Sequence, residues 1–292
     1  MKNIVVIVTD QLSFRALSAY GGPRTYPGID AFFRDGTTFE RAYTPCPLCM
    51  PARAAFWSSA WPHRTGVLSN GRKFEQGTVP EALPALGELF ANAGWEAVHF
   101  GKEHDAGALR GFTRTPGDSL EVEQPEGYPL NDDTFRDRAT VEQFVAFLDA
   151  RAGRSPGATA SRGATEASGS TRPLLAVVDL NNPHNICGWV GEMARAVSGS
   201  RDFIPPARPP LPVGFPPETD ASELPELPPN FTDRDLASRP RPVQYVCCAH
   251  NRQAQTQEWD ETAFRRYLDA YHYYTHLADL EISRVLAAVR RS

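Results

Sequence analysis

Three short apolar runs, each ending abruptly in polar residues, limit what this chain can fold into. They are IVVIV at 4–8, WEAVHFGK at 95–102 and PLLAVVDL at 173–180. Short apolar runs of this kind suit strands buried on both faces, as in a parallel sheet covered by helices. Helical patterns lie between them. In PGIDAFFRDG, Ile29, Phe32 and Phe33 fall at i, i+3 and i+4, and Gly36 supplies a stop. TVPEALPALGELFANAG puts Leu86, Leu89, Phe90 and Ala93 on one face with Gly94 as cap, and ATVEQFVAFLDAR aligns Val141, Phe144, Val145 and Leu148. ETAFRRYLDAYHYYTHLADLEISRVLAAVRR predicts a long closing helix, with Arg290 and Arg291 at the end that favours cations. This alternation predicts an α/β fold, a mostly parallel sheet flanked by helices, built as a single domain over 1–292. Two stretches break the rhythm. Residues 152–172, rich in Gly, Ser, Ala and Thr, predict a flexible loop, and the proline-dense 204–243 predicts extended irregular chain.

Charge and cysteine usage exclude several classes. A net charge of −5 with no Lys/Arg-rich run argues against nucleic acid as a partner. No apolar run approaches the ~20 residues needed to span a bilayer, so no membrane partner is expected. MKNIVVIVTDQ lacks a long apolar segment with a cleavage site, which sets the expected location as cytoplasmic by default. Cys46, Cys49, Cys187, Cys247 and Cys248 are an odd number in a large chain, not a disulfide framework. Cys247 and Cys248 are adjacent, off the spacing of a structural zinc site.

In open parallel sheets, reactive groups gather where strands end. The first run ends in Thr9-Asp10-Gln11, the second in Gly101-Lys102-Glu103-His104, the third in Asn181-Asn182-Pro183-His184. Each alone is unremarkable, since an Asp after a strand is usually a helix cap and a lone His is usually packed or solvated. Together they make chemical sense. Asp10 and Gln11 offer oxygens to a hard divalent cation, and Lys102, His104 and His184 offer positive charge and donors to a tetrahedral oxyanion. CPLCMPARAAFWSSAWPHRTGV (46–67) adds Cys49-x-Pro51-x-Arg53. Pro51 suits a first helical position, placing Cys49 just outside a helix N-terminus, the end that favours anions, with the Arg53 fork beside it.

With these motifs the chain resembles the sulfatases of the alkaline-phosphatase-like superfamily. The resemblance rests on VTDQ, AYGGPRTYPGIDAFFRDGTTFERAYT, the C-x-P-x-R motif and its PHRTGV continuation, SNG at Asn70, FGKEH and NNPHNI. Ala52 stands where serine is commonest, and Ser-Ala-Trp replaces the more usual Thr-Gly-Arg before PHR. The resemblance implies that Cys49 is oxidised to formylglycine by a formylglycine-generating enzyme. The hydrated aldehyde then attacks sulfur, and its second hydroxyl expels sulfate. It implies Asp10, Gln11 and residue 49 as ligands of a divalent cation, Ca2+ with Mg2+ as the other candidate. Arg53 would stabilise residue 49, Lys102 and His184 would hold sulfate oxygens, and His104 would orient the nucleophile or protonate the leaving group. Which histidine is the general acid stays open. Asn70 would line the pocket, or be an ordinary turn residue.

The resemblance also implies an Asp followed by Asn or His near a Gly, and then a Lys, in a second half of the metal site. No such stretch is present, and Asn131-Asp132-Asp133 lies in the wrong place. A truncated sulfatase with little or no turnover is therefore expected. The substrate would be a sulfated small molecule or carbohydrate. Trp189, Tyr245 and Trp259 could stack on a sugar or pack the core. Alternatives are a phosphodiesterase or phosphonate monoester hydrolase using the same kind of site, and a non-catalytic remnant. A thiol hydrolase pairing Cys49 with His63 or His104 is disfavoured, because a neighbouring proline and arginine do not activate a thiolate as a paired histidine does.

Overall fold

The computed structural model describes residues 3–70, 77–116, 134–153, 170–190, 221–229, 231, 240–241, 256 and 259–292. Its strands are β1 (Ile4–Asp10), β2 (Glu96–Gly101), β3 (Thr113–Pro116) and β4 (Leu174–Pro183). The helices are α1 (Pro27–Asp35), α2 (Cys49–Ser58), α3 (Pro62–Thr65), α4 (Leu86–Asn92), α5 (Thr134–Arg151) and α6 (Glu261–Arg291). The strands form one sheet in the order β1-β4-β2-β3, and every pairing is parallel. The expected fold class is borne out. Most of 152–172 and 204–243, together with Asn131-Asp132-Asp133, Tyr245, Cys247 and Cys248, lies outside the described residues.

β4 is buried along its whole length, as its unbroken apolar run requires. Successive side chains point to opposite faces of a strand, and the two faces of β4 meet different cores. Leu174, Ala176, Val178 and Leu180 pack with Val141, Phe144 and Leu148 of α5 and Ile282, Val285 and Ala288 of α6. Leu175 and Val177 face the other way, against Met50, Ala54 and Trp57 of α2. The same alternation sends Val98 and Phe100 of β2 to the α5/α6 side and Ala97 to the α2 side. Asp179, an acid inside an apolar run, shares the parity of Leu175 and Val177, so it faces α2. Asp10 continues the parity of Val6 and Val8, at a register irregularity between Thr9 and Asp10.

Several element details differ from expectation. α4 begins at Leu86, not near Thr78, because Pro84 has no amide hydrogen to continue a helix through it. Its Leu89 is 56% exposed, and in α1 Phe32 is 49% exposed while Gly28, Ile29 and Ala31 are buried. Gly28 lets α1 approach α6 closely: a Cβ there would sit 2.5 Å from the Ser283 hydroxyl. β3 carries no apolar run and was not foreseen. No helix among the described residues is long and apolar enough to cross a membrane.

The α1–α6 contact contains a pH-sensitive group. Asp279 of α6, 2% exposed, accepts the Ile29 amide at 2.8 Å and so caps the first turn of α1. Burial pushes its carboxyl up from 3.8 to about 6, although the Ile29 and Gly28 amides pull the other way. The folded state therefore holds this proton more tightly than the unfolded chain, so this group's contribution is lost as pH rises from about 4 through about 6. Asp279→Asn keeps a carbonyl acceptor without the buried charge. It is expected to stabilise the fold by ~1–2 kcal/mol near pH 8 and to change little near pH 4. Denaturant melts at the two pH values check this.

Candidate active site

Because β1, β4 and β2 are parallel neighbours, their C-terminal ends lie side by side, and the three polar endings meet there. The N-terminus of α2 arrives at the same place. Leu48 is the N-cap residue and Cys49 the first helical residue, so the helix begins two residues before Pro51, contrary to the expected boundary. Pro51 fits because the first-turn amides have no intrahelical partner to lose. The Met50 amide donates to Asn70 Oδ1 at 3.1 Å. Asn70 therefore caps this helix end from across a loop.

Asp10, Cys49 and His184 each offer a ligand atom, all within 4.8 Å of one another. The Cys49 thiol faces Asp10 Oδ1 at 3.8 Å, and Lys102 Nζ lies 2.5 Å from Asp10 Oδ2. Lys102 is 7% exposed. Burial alone would raise the Asp10 carboxyl, but Lys102 foremost, then His184 and Arg53, outweigh it and hold the group below its ordinary value. Asp10 is thus ionised, the form that binds a cation. The Cys49 thiol is pushed up, first by burial and then by the Asp10 carboxylate, so it stays protonated. That weighs against a thiolate nucleophile at residue 49.

The remaining expected residues are placed as follows. The Arg53 fork is taken by Asp179, Nη1 to Oδ2 at 2.5 Å and Nη2 to Oδ1 at 2.9 Å, with Nη2 also 3.4 Å from Asp10 Oδ2. Gln11 has a left-handed backbone (φ 65°), and its side-chain Oε1 accepts from the Cys187 thiol at 3.5 Å. His104 sits half-buried in the loop leaving β2, also at positive φ (37°). Trp189 and Trp259 are 5% and 6% exposed and pack edge to face at 6.0 Å, so they belong to a core and not to a sugar platform. Cys46, Cys49 and Cys187 form no disulfide.

Sequence reasoning missed two buried acids here. Asp179 is fully buried, with His99 Nε2 3.5 Å from its Oδ2. Its signal was present: a lone acid in an apolar strand needs a partner. Asp137 of α5 accepts the Asn181 and Asn182 amides at 2.6 and 2.9 Å, fixing the end of β4 just before His184. Burial pushes Asp137 up to about 7.

The donor set suits a hard cation in part. Asp10 supplies carboxylate oxygen, while thiol sulfur at residue 49 is a poor ligand for such an ion. Replacing that sulfur by oxygen would move the set toward a hard cation's preference, leaving the His184 nitrogen as the softer donor of the three.

The Sulfatase family model matches residues 2–292. The Δ4,5-hexuronate-2-O-sulfatase of Bacteroides thetaiotaomicron is 38% identical over 289 residues, covering 98% of this chain and 52% of the relative. The chain thus spans about half the length of that curated relative. A solved 2-O GAG sulfatase superposes with a TM-score of 0.76 at 35% identity, over 99% of this chain and 54% of that one. The phosphonate monoester hydrolase of Silicibacter pomeroyi shares the fold, with a TM-score of 0.63 at 16% identity over 100% and 60%. A family match over essentially the whole chain, on an alkaline-phosphatase-like sheet whose strand ends converge on Cys49, places the protein in the sulfatase family.

Proposed function

We propose that this site hydrolyses sulfate esters of carbohydrates, with residue 49 carried as formylglycine and a divalent cation, Ca2+ before Mg2+, held by Asp10, Gln11 and the residue-49 oxygens. The cation would supply Lewis-acid polarisation of sulfate oxygens and would neutralise the negative charge that the sulfate and Asp10 bring to the N-terminus of α2. Lys102 and His184 bind the sulfate oxygens. Arg53, fixed by Asp179, holds positive charge beside residue 49 and Asp10. His104 and His184 are the two groups able to deliver a proton to the leaving oxygen. The observation that carries this reading is the gathering of Asp10, Cys49 and His184 within 4.8 Å, flanked by buried Lys102 and Arg53. A carbohydrate substrate is supported by the relative that acts on hexuronate 2-O-sulfate, which makes a 2-O-sulfated Δ4,5-unsaturated hexuronate the first compound to test.

The test uses the protein produced together with a sulfatase-maturing enzyme. Peptide mass spectrometry is expected to show conversion of the Cys49 thiol to aldehyde. Sulfate release by the matured protein from the 2-O-sulfated unsaturated disaccharide is expected to be slow, because Asp10, Gln11 and residue 49 alone supply fewer oxygens than a hard cation takes, and still to exceed cleavage of an aryl phosphodiester or phosphonate ester. An unmodified thiol with no sulfate release would leave a non-catalytic remnant. Preferential cleavage of the phosphorus ester would move the site to the phosphonate-hydrolase class.

A further inference from the structure

The turn that carries Asp10 and Gln11 out of β1 is held by a residue 260 positions away. Tyr271 of α6 donates its hydroxyl hydrogen to the Gln11 carbonyl at 2.6 Å, and the same oxygen accepts the Ser13 amide at 2.7 Å. One phenol thus spans both sides of the turn, using its single donor and one acceptor site. Gln11 sits at φ 65°, a conformation that costs a non-glycine residue ~1–3 kcal/mol and persists only where the surroundings over-determine it. Two groups supply that determination: Tyr271 on the Gln11 backbone and the Cys187 thiol on its side chain. Tyr271 is itself rigidly seated. It is 8% exposed in a cluster with Ala16, which follows β1, and with Ile186 and Trp189, which follow His184. The same stretch of α6 therefore underlies both loops that bring candidate ligands to the site.

We propose that Tyr271 is a positioning residue for the cation site: its hydroxyl fixes the left-handed turn that aims Asp10 and Gln11. This rests on the sulfatase reading above. The hydroxyl touches neither substrate nor cation; it acts through the backbone of residue 11. Metal sites commonly depend on such outer partners, whose removal weakens metal affinity by ~10–100-fold.

Tyr271→Phe removes one oxygen and keeps the ring in its cluster. The experiment compares it with the unaltered protein, both matured at Cys49, by calorimetric Ca2+ titration and by hydrogen exchange of the amides of residues 11–13. In the unaltered protein the Ser13 amide is expected to be protected. In Tyr271→Phe it is expected to exchange faster, with Ca2+ affinity down ~10-fold and the thermal midpoint little changed. A Ser13 amide already unprotected in the unaltered protein overturns the clamp, whether or not the variant folds. Faster exchange with Ca2+ affinity within about two-fold, against the expected outer-partner loss, shows a purely structural hydroxyl and overturns the positioning role alone. An unaltered protein that takes up no divalent cation overturns the proposed cation site, and this role with it, while leaving the family assignment in place.

Discussion

Asp179→Ala is expected to cost the fold ~3–5 kcal/mol, the largest stability loss of any single side chain at the site. Asp179 is fully buried, and its two oxygens occupy the fork of Arg53, which is 7% exposed. Removing the acid leaves a guanidinium in the interior with only the longer Asp10 contact at 3.4 Å. Desolvating an unpaired charge is far costlier than losing a surface pair, because water cannot follow it in. Arg53 is also expected to swing toward Asp10 and compete for the carboxylate that Lys102 already holds, so activity falls together with stability. Denaturant unfolding with a matched near-ultraviolet spectrum measures the first effect, and sulfate release the second. A loss below about 1 kcal/mol would mean that solvent reaches Arg53 and that the pair is weak.

A paired replacement separates the two consequences. Apolar side chains of similar volume in place of a buried ion pair often restore stability. Arg53→Met with Asp179→Leu is therefore expected to recover most of the lost stability and none of the activity, because Asp10 and residue 49 lose their neighbouring positive charge.

Three of the four strands were legible in the sequence: β4 from its fully buried apolar run, and β1 and β2 from shorter apolar stretches, although β1 is a half-buried edge strand of the described sheet and β2 carries Glu96 and His99. Of the helices, α5 and α6 were legible from their 3.6-residue periodicity. Pro51 marked its helix but misplaced the start, and the helix expected over TVPEALPALGELFANAG ran through Pro84, which no helix interior accepts. Pro84 cut α4 short, and α2 ran two residues upstream of Pro51, where Leu48 and the Asn70 side chain hold its end. The convergence of Asp10, Lys102 and His184 followed from topology alone, since parallel neighbouring strands must end together. What stayed hidden were the partners. Arg53 and Asp179 are 126 residues apart, and Gln11 and Tyr271 are 260 apart. No local pattern joins them. Only the face parity of β4 and the packing of α6 under the β1 loop do so. Trp189 and Trp259 were open to two uses, and the interleaving of their rings with Tyr267 decided for the core.

Cys49→Ser is expected to abolish the slow turnover of the matured protein as completely as Cys49→Ala does, down to the detection limit, with both variants folded. The equivalence is the informative part. The Cys49 side chain is half-buried at the first position of α2, and serine differs from cysteine there by one atom, so neither packing nor the helix cap changes. A hydrolase using residue 49 as a simple nucleophile would keep some activity with serine, because a hydroxyl beside His184 and Lys102 can still attack. A site that needs a hydrated aldehyde cannot, because serine supplies one hydroxyl where two are required. The protonated state of the Cys49 thiol points the same way: burial and the Asp10 carboxylate both hold the proton on, so the unconverted side chain is a poor nucleophile beside an excellent set of anion-binding groups. Turnover by Cys49→Ser within about ten-fold of the matured protein would show that residue 49 attacks directly and that conversion to an aldehyde is not what this helix end is built to receive.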